Sequence, residues 1–130
     1  IAGMERKYGL RCCNVFHAGD GNLHPLILYD ANAAGELERA EKFGAEILEL
    51  SVRFGGTITG EHGVGVEKID QMCAQFSEHE LASFHRVKAA FDPLGLLNPG
   101  KAIPTLNRCV EYGGLHVHHG NVPHPELPRF

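Results

Sequence analysis

Two short runs near the start of the chain have the composition of β-strands. Arg11–Phe16 and Leu23–Tyr29 are rich in strand-forming residues, and an Asp-Gly pair lies between them. A type I′ turn centred on Asp20-Gly21 would place His17 directly opposite His24. Opposed residues of an antiparallel pair share one face, with Cβ atoms about 4.5–5.5 Å apart. The two imidazoles are therefore predicted to lie side by side at the rim of an apolar surface.

Apolar residues recur every three or four positions in two later stretches, which predicts amphipathic helices. The first stretch ends at a pair of glycines and has this stripe: Ala40, Phe43, Ile47, Leu50 and Phe54. The second opens with the capping box Ser77-x-x-Glu80, ends at Asp92-Pro93, and is expected to bury Leu81, Phe84, Val87 and Phe91. The first residues of the chain, from Ile1, are also helix-like. A short β-branched run from Thr57 predicts a third strand.

These elements predict an α+β fold, with a small antiparallel sheet packed against two main helices. The last 33 residues, from Asn98 onward, hold five of the seven prolines, so we expect an extended tail. A sheet of about three strands rarely stands alone, and we expect further strands upstream and self-association of the isolated chain. The apolar start at Ile1 likewise predicts a piece of a longer protein.

Composition narrows the classes of function. The chain has 12 basic and 16 acidic residues and a net charge of −4, with no basic run, so nucleic acid is not an expected partner. The sequence has no apolar stretch of the roughly 18 residues needed to span a bilayer. Its first residues also lack the pattern of a signal peptide. The four cysteines include an adjacent pair and no C-x-x-C, which favours neither a zinc knuckle nor a disulfide framework.

The paired histidines are the main candidates for chemistry. Neutral imidazole is a common metal ligand, and His17 and His24 on one face are oriented for a single ion. A third ligand is needed, and either Glu61 or His62 in the glycine-bounded "GEHG" is a candidate, because flanking glycines free the backbone. A His/His/Glu set suits zinc, iron or manganese and leaves His62 as a base.

Simpler interpretations of the same residues stay open. The two histidines also fit an ordinary polar cross-strand pair, and Glu61-His62 also fits a tight turn with solvated side chains. His79 and His85 are expected on a helix surface. The histidines of the tail have no predictable geometry, and "GDGN" is a weak phosphate-loop pattern because no helix follows it directly.

A divalent ion beside a histidine base is suited to oxidation of a 2-hydroxy acid. The ion would chelate the carboxylate and the hydroxyl and lower the hydroxyl pKa, while His62 takes the proton. A hydride acceptor is also required, and no residue of this chain can store a hydride, so a cofactor is implied.

Three ordered motifs carry a resemblance to a known family. "FHAGDGNLHP", "GGTITGEHGVGVEK" and "FDPLGLLNPGK" resemble the C-terminal part of FAD-linked 2-hydroxyacid oxidases and dehydrogenases of the vanillyl-alcohol-oxidase type. The resemblance implies that His17, His24 and Glu61 hold a divalent metal, that His62 is the base, and that Asn98 lies near the flavin.

The resemblance also implies an organisation and a set of partners. Residues 1–104 would be the C-terminal portion of a ferredoxin-like cap domain, and residues 105–130 an extended His- and Pro-rich tail. FAD would be bound mainly by a preceding domain, so the isolated chain is expected to be inactive. The implied partners are a small 2-hydroxy acid, an FAD-domain subunit and an iron–sulfur subunit. We expect a cytoplasmic location, associated with the inner face of the membrane through those subunits. The alternative function is a non-catalytic, metal-stapled structural or interaction module.

Overall fold

The predicted α+β class is confirmed by a computed structural model, which describes residues 1–105. The chain divides after Glu61 into two compact units. In the described residues the α-helices are α1 (Ala2–Tyr8), α2 (Glu36–Arg53), α3 (Met72–Gln75) and α4 (Glu78–Phe91), and the strands are β1 (Arg11–His17) and β2 (Asn22–Leu28). The predicted tail lies outside the described residues except for Thr105, and the division at residue 104 stays a prediction.

Helices α1 and α2 of the first unit enclose its core together with the sheet. Phe43 on α2 is fully buried and stacks on the ring of Tyr8, with ring centroids 5.4 Å apart. The Tyr8 hydroxyl donates to the Glu46 carboxylate at 2.6 Å, and Lys7 contacts the same oxygen. This packing confirms the predicted stripe at Ala40, Phe43 and Ile47, whereas Phe54, beyond the last turn of α2, is exposed.

The predicted hairpin is present, but its register differs by two residues. His17 lies opposite Asn22, and His24 lies opposite Val15. The predicted pairing of His17 with His24 is therefore wrong. Since side chains alternate with a period of two along a strand, a shift of two residues keeps each of them on its predicted face.

The turn explains the changed register. A 3-10 turn over Ala18–Asp20 leads into Gly21, which has a left-handed backbone with φ 70°. The reversal therefore uses residues 18–21 instead of the two central residues of a type I′ turn. Gly21 takes the left-handed conformation that an L side chain would disfavour.

The strand predicted from Thr57 is wrong, because residues 57–61 have no regular secondary structure. Local side-chain bonds occupy backbone carbonyls that a strand would use. The Ser51 hydroxyl donates to the carbonyl of Thr57 at 3.0 Å, and the Thr57 hydroxyl donates to the carbonyl of Thr59 at 2.7 Å. Ile58 is nevertheless almost completely buried, so this irregular segment is anchored within the first unit.

The second unit contains α3 and α4, and the predicted capping box is confirmed at the start of α4. The Ser77 hydroxyl accepts from the backbone N–H of Glu80, and the Glu80 carboxylate accepts from the backbone N–H of Ser77. Leu81 is fully buried, and Phe84 packs edge-on against Phe76 with centroids 5.1 Å apart.

The second half of the predicted α4 stripe is not buried. Val87 is 58% exposed and Phe91 is 84% exposed, so their predicted burial is wrong. Burial in α4 is concentrated in its first two turns, where Leu81 and Phe84 lie. Helical periodicity marks a face of the helix but does not say how far along that face the unit packs.

The adjacent pair of cysteines lies on β1. Cys12 and Cys13 are free thiols, and burial raises the pKa of the Cys12 thiol. Separately, in residues 1–105 each helix lacks the combination of length and apolar character that is needed to cross a bilayer.

Asp92 ends α4 and organises the turn that follows. Its buried carboxylate accepts from the Lys88 ammonium at 2.7 Å and from the backbone N–H groups of Leu96 and Leu97, both at 2.9 Å. Lys88 also donates to the carbonyl of Leu97 at 2.7 Å. The Lys88 ammonium, together with these backbone donors, lowers the pKa of the Asp92 carboxyl.

We predict that Asp92→Asn lowers the melting temperature of the chain at pH 7. A carboxyl whose folded-state pKa is depressed stabilises the fold fully above its unfolded pKa, near 3.8, and loses that contribution as the pH falls through the lower folded value. Melting followed by circular dichroism from pH 7 to pH 2 should show the wild type and the variant converging below pH 3.8. Glu41→Gln, at an exposed position of α2, is the control. A difference that persists unchanged at the lowest pH would contradict this role of the charge.

Candidate functional site

The end of the hairpin positions two histidines on one face of the sheet. His17 is the last residue of β1, and His24 is the third residue of β2. In the observed register they are diagonal neighbours instead of directly opposed residues, which places their β-carbons roughly 7–8 Å apart. Long side chains still meet across a diagonal of this kind, so the two imidazoles remain available to one site.

The Glu61 carboxylate lies between the two imidazoles. Its Oε1 is 3.3 Å from Nε2 of His17, and its Oε2 is 3.9 Å from Nδ1 of His24. All three side chains are 40–63% exposed, so a ligand can reach them from solvent. The three residues that the resemblance implied as metal ligands are thus brought together within the first unit.

Imidazole nitrogens and a carboxylate are donor types that suit a small divalent ion. Nitrogen and oxygen ligands at about 2.0–2.2 Å from a tetrahedral zinc ion lie about 3.3–3.5 Å from each other. The distance from His17 to Glu61 already matches that separation. The distance from His24 to Glu61 is a few tenths of an ångström longer, and the donor atoms of His17, His24 and Glu61 do not all lie within 4.8 Å of one another. The histidine side chains would therefore have to rotate toward each other to share one ion.

Asn22 is part of this site, and the sequence analysis missed it. Its Nδ2 donates a hydrogen bond to Glu61 Oε1 at 2.6 Å. It also lies directly opposite His17 in the hairpin. A carboxamide within "GDGN" resembles an ordinary turn residue, so its role could be found only from the turn geometry and the path of the chain to residue 61.

Gly60, directly before Glu61, is in close contact with Asn22. A β-carbon at Gly60 would lie 2.6 Å from Asn22 Oδ1, and its three nearest atoms would all belong to the Asn22 side chain. The backbone of Gly60 does not have a positive φ. A side chain at position 60 would therefore have to displace the Asn22 carboxamide, although it would meet no unusual backbone conformation.

His62 follows Glu61 directly and is the first residue of the second unit, where it is exposed. A trans peptide bond places its Cα about 3.8 Å from that of Glu61. Because residues 57–61 form no strand, the strict alternation of side chains does not constrain the two neighbours to opposite faces.

Asn98, the residue implied to lie near a flavin, belongs to the turn organised by Asp92. It has a left-handed backbone with φ 46°, and it lines an open groove of about 490 Å³. The groove is also lined by Lys88 and Lys101. Asn98 therefore lies at a concave surface of the second unit beside two basic side chains.

The other histidines have varied environments. His79 is exposed, as expected for a helix surface. His85 was expected to be exposed but is half-buried, and its Nε2 lies 2.8 Å from the carbonyl oxygen of Pro104. This contact fixes the end of the described chain to α4. The histidines of the tail lie outside the described residues.

Comparison with known proteins places these features in a family context. Residues 1–102 match the model of the FAD linked oxidases, C-terminal domain. The chain is 66% identical over 130 residues to glycolate oxidase subunit GlcD of Escherichia coli (strain K12), covering 100% of this chain and 26% of that protein. It is 46% identical over 101 residues to glycolate oxidase subunit GlcD of Bacillus subtilis (strain 168), covering 78% of this chain and 22% of the relative.

A relative with a different name also matches. The mitochondrial D-lactate dehydrogenase [cytochrome] of Arabidopsis thaliana is 36% identical over 95 residues, covering 73% of this chain and 17% of that protein. The chain thus spans about a quarter or less of the length of the curated relatives it matches.

Proposed function

Because this chain belongs to the C-terminal domain family of the FAD-linked oxidases, we propose that it forms part of an FAD-dependent oxidoreductase acting on a small 2-hydroxy acid. Glycolate is the proposed substrate, since a relative that matches all 130 residues is a glycolate oxidase subunit. D-lactate is the second candidate, because more distant relatives are D-lactate dehydrogenases. FAD would be bound mainly by a part of the protein outside this chain.

The observation that carries the proposal is the Glu61 carboxylate between two imidazoles. His17, His24 and Glu61 would hold one divalent ion, and zinc, iron and manganese all suit such a donor set. When bound, the ion would grip the carboxylate and hydroxyl of the acid and lower the hydroxyl pKa. The solvent exposure of all three side chains leaves room for a substrate at the open positions.

His62 is the proposed base. Oxidation of a 2-hydroxy acid removes a proton from the hydroxyl and a hydride from the carbon that bears it. An imidazole nitrogen of His62 would accept the proton, and the flavin would supply the acceptor for the hydride. Its support is the direct peptide link to Glu61 in an irregular segment, together with its exposure.

Asn98 is the proposed flavin contact within this chain. The groove that it lines offers a carboxamide and two lysine side chains, which are suitable partners for the polar groups of a flavin. The bonds from Asp92 and Lys88 to the backbone of the same turn would hold this surface in place before the cofactor arrives.

The names of the relatives, which describe a glycolate oxidase subunit, support the presence of subunit partners. We propose an FAD-domain subunit and an iron–sulfur subunit as partners in one complex, with association at a membrane occurring through them. Self-association of the isolated chain also stays a prediction. Exposed apolar side chains of the hairpin, among them Val15 and Leu26, support it.

We predict that the chelator-treated chain takes up zinc and that Glu61→Gln weakens this binding at least tenfold. The substitution removes the anionic ligand. Even mutation of a residue that only hydrogen-bonds to a metal ligand typically lowers the metal affinity by about 10–100-fold. Isothermal titration calorimetry with zinc measures the effect, with Glu41→Gln as the matched control. The tail histidines are present in every variant, so a difference reports on the hairpin site. Equal affinities for the wild type and Glu61→Gln would refute the site.

We predict that His62→Ala in the full-length enzyme lowers kcat with glycolate by about 10²–10⁴-fold, the usual contribution of a general base. Zinc content, measured by elemental analysis, should be unchanged, because His62 is not in the proposed ligand set. His79→Ala, at an exposed position on α4, is the control. Unchanged turnover with the metal retained would instead support the non-catalytic, metal-stapled module.

A further inference from the structure

The side chain of Asn22 joins the hairpin to the Glu61 carboxylate. We propose that Asn22 is a positioning residue that sets the orientation of this carboxylate for the ion, a role that rests on the proposed function. Asn22 is itself not a ligand in this proposal, because the atom that faces Glu61 is the donor Nδ2. It acts through Glu61.

The hydrogen bond holds one of the two oxygens of Glu61 and leaves the other to His24. Oε1 accepts from Asn22 Nδ2 at 2.6 Å and also lies 3.3 Å from His17 Nε2, while Oε2 is the oxygen nearer to His24. A carboxylate held at one oxygen cannot rotate freely about its last bond. Hydrogen bonds to ionised groups are among the stronger ones, and at a metal centre such partners orient the ligand.

Asn22 is itself held by the strand. It is the first residue of β2, it pairs with His17, and it follows the left-handed Gly21. The register that places Asn22 opposite His17 therefore also places its carboxamide beside a proposed ligand. An asparagine needed only to form a turn would not have to direct its Nδ2 at a carboxylate 39 residues away in the chain.

The backbone on the other side of this contact supports the same role. Any β-carbon at Gly60 would collide with the Asn22 carboxamide, although the φ of Gly60 would tolerate alanine. Gly60 thus provides the space through which Asn22 reaches Glu61. Asn22 and Gly60 form a matched pair, and each can be altered without changing a proposed ligand.

Zinc titration of the 130-residue chain tests the proposal. We expect Asn22→Ala and Gly60→Ala each to weaken zinc binding by about 10–100-fold. The double variant should be no weaker than Asn22→Ala, because the β-carbon at position 60 then has no carboxamide to displace. Asn14→Ala, at an exposed position on β1, should bind as the wild type does. Circular dichroism establishes that each variant is folded.

The outcomes separate this role from the proposed function. If the wild type takes up no zinc, the metal site and the role of Asn22 both fail. If the wild type binds and Asn22→Ala binds equally well, the site stands and the role of Asn22 is refuted. Additive losses in the double variant would refute the shared mechanism of Asn22 and Gly60.

A measurement on the metal-free wild type keeps the test decisive if Asn22→Ala does not fold. Nuclear Overhauser effects between the side-chain amide protons of Asn22 and the γ protons of Glu61 are expected, and they should be lost in Gly60→Ala. If these effects are absent in the wild type, the proposal is overturned.

Discussion

The proposed chemistry depends on one constraint: the carboxylate of Glu61 has to contact two imidazoles and a carboxamide at the same time. Glu61 contacts His17, His24 and Asn22, and all three lie in the strands of one hairpin near its turn. The hairpin in turn is held by the core that Phe43 and Ile47 form on α2. A long helix that contributes no proposed ligand thus determines the geometry of the site through packing.

The sequence predicted the faces of the strands better than their register. Asp20-Gly21 is a typical signal for a two-residue turn, but the chain uses a longer reversal that ends at Gly21. A slip of one residue would have moved His17 and His24 to the opposite face, whereas a slip of two moved them only along the same face. The two histidines therefore lie on one face of the sheet, as predicted, although their predicted pairing is wrong.

Other differences have equally local causes. The capping box at Ser77 could be predicted from the sequence, because its two residues lie within four positions of each other. The exposure of Val87 and Phe91 could not be predicted from the sequence, because it depends on which other segments pack against the end of α4. The Asn22 contact was out of reach for the same reason, since it joins residues 39 positions apart. Patterns within one element were predictable, and contacts between distant segments were not.

The failed strand at Thr57 is informative about function. A β-branched run that does not form a strand is a conflict between local preference and fold, and such conflicts concentrate at functional sites. In a strand, Glu61 and His62 would be obliged to point to opposite faces. The irregular backbone between Gly60 and Gly63 does not force neighbouring side chains onto opposite faces. A metal ligand and a base at successive positions would need this freedom. The irregular segment is therefore compatible with the proposed roles of Glu61 and His62, which the strict alternation of a regular strand would oppose.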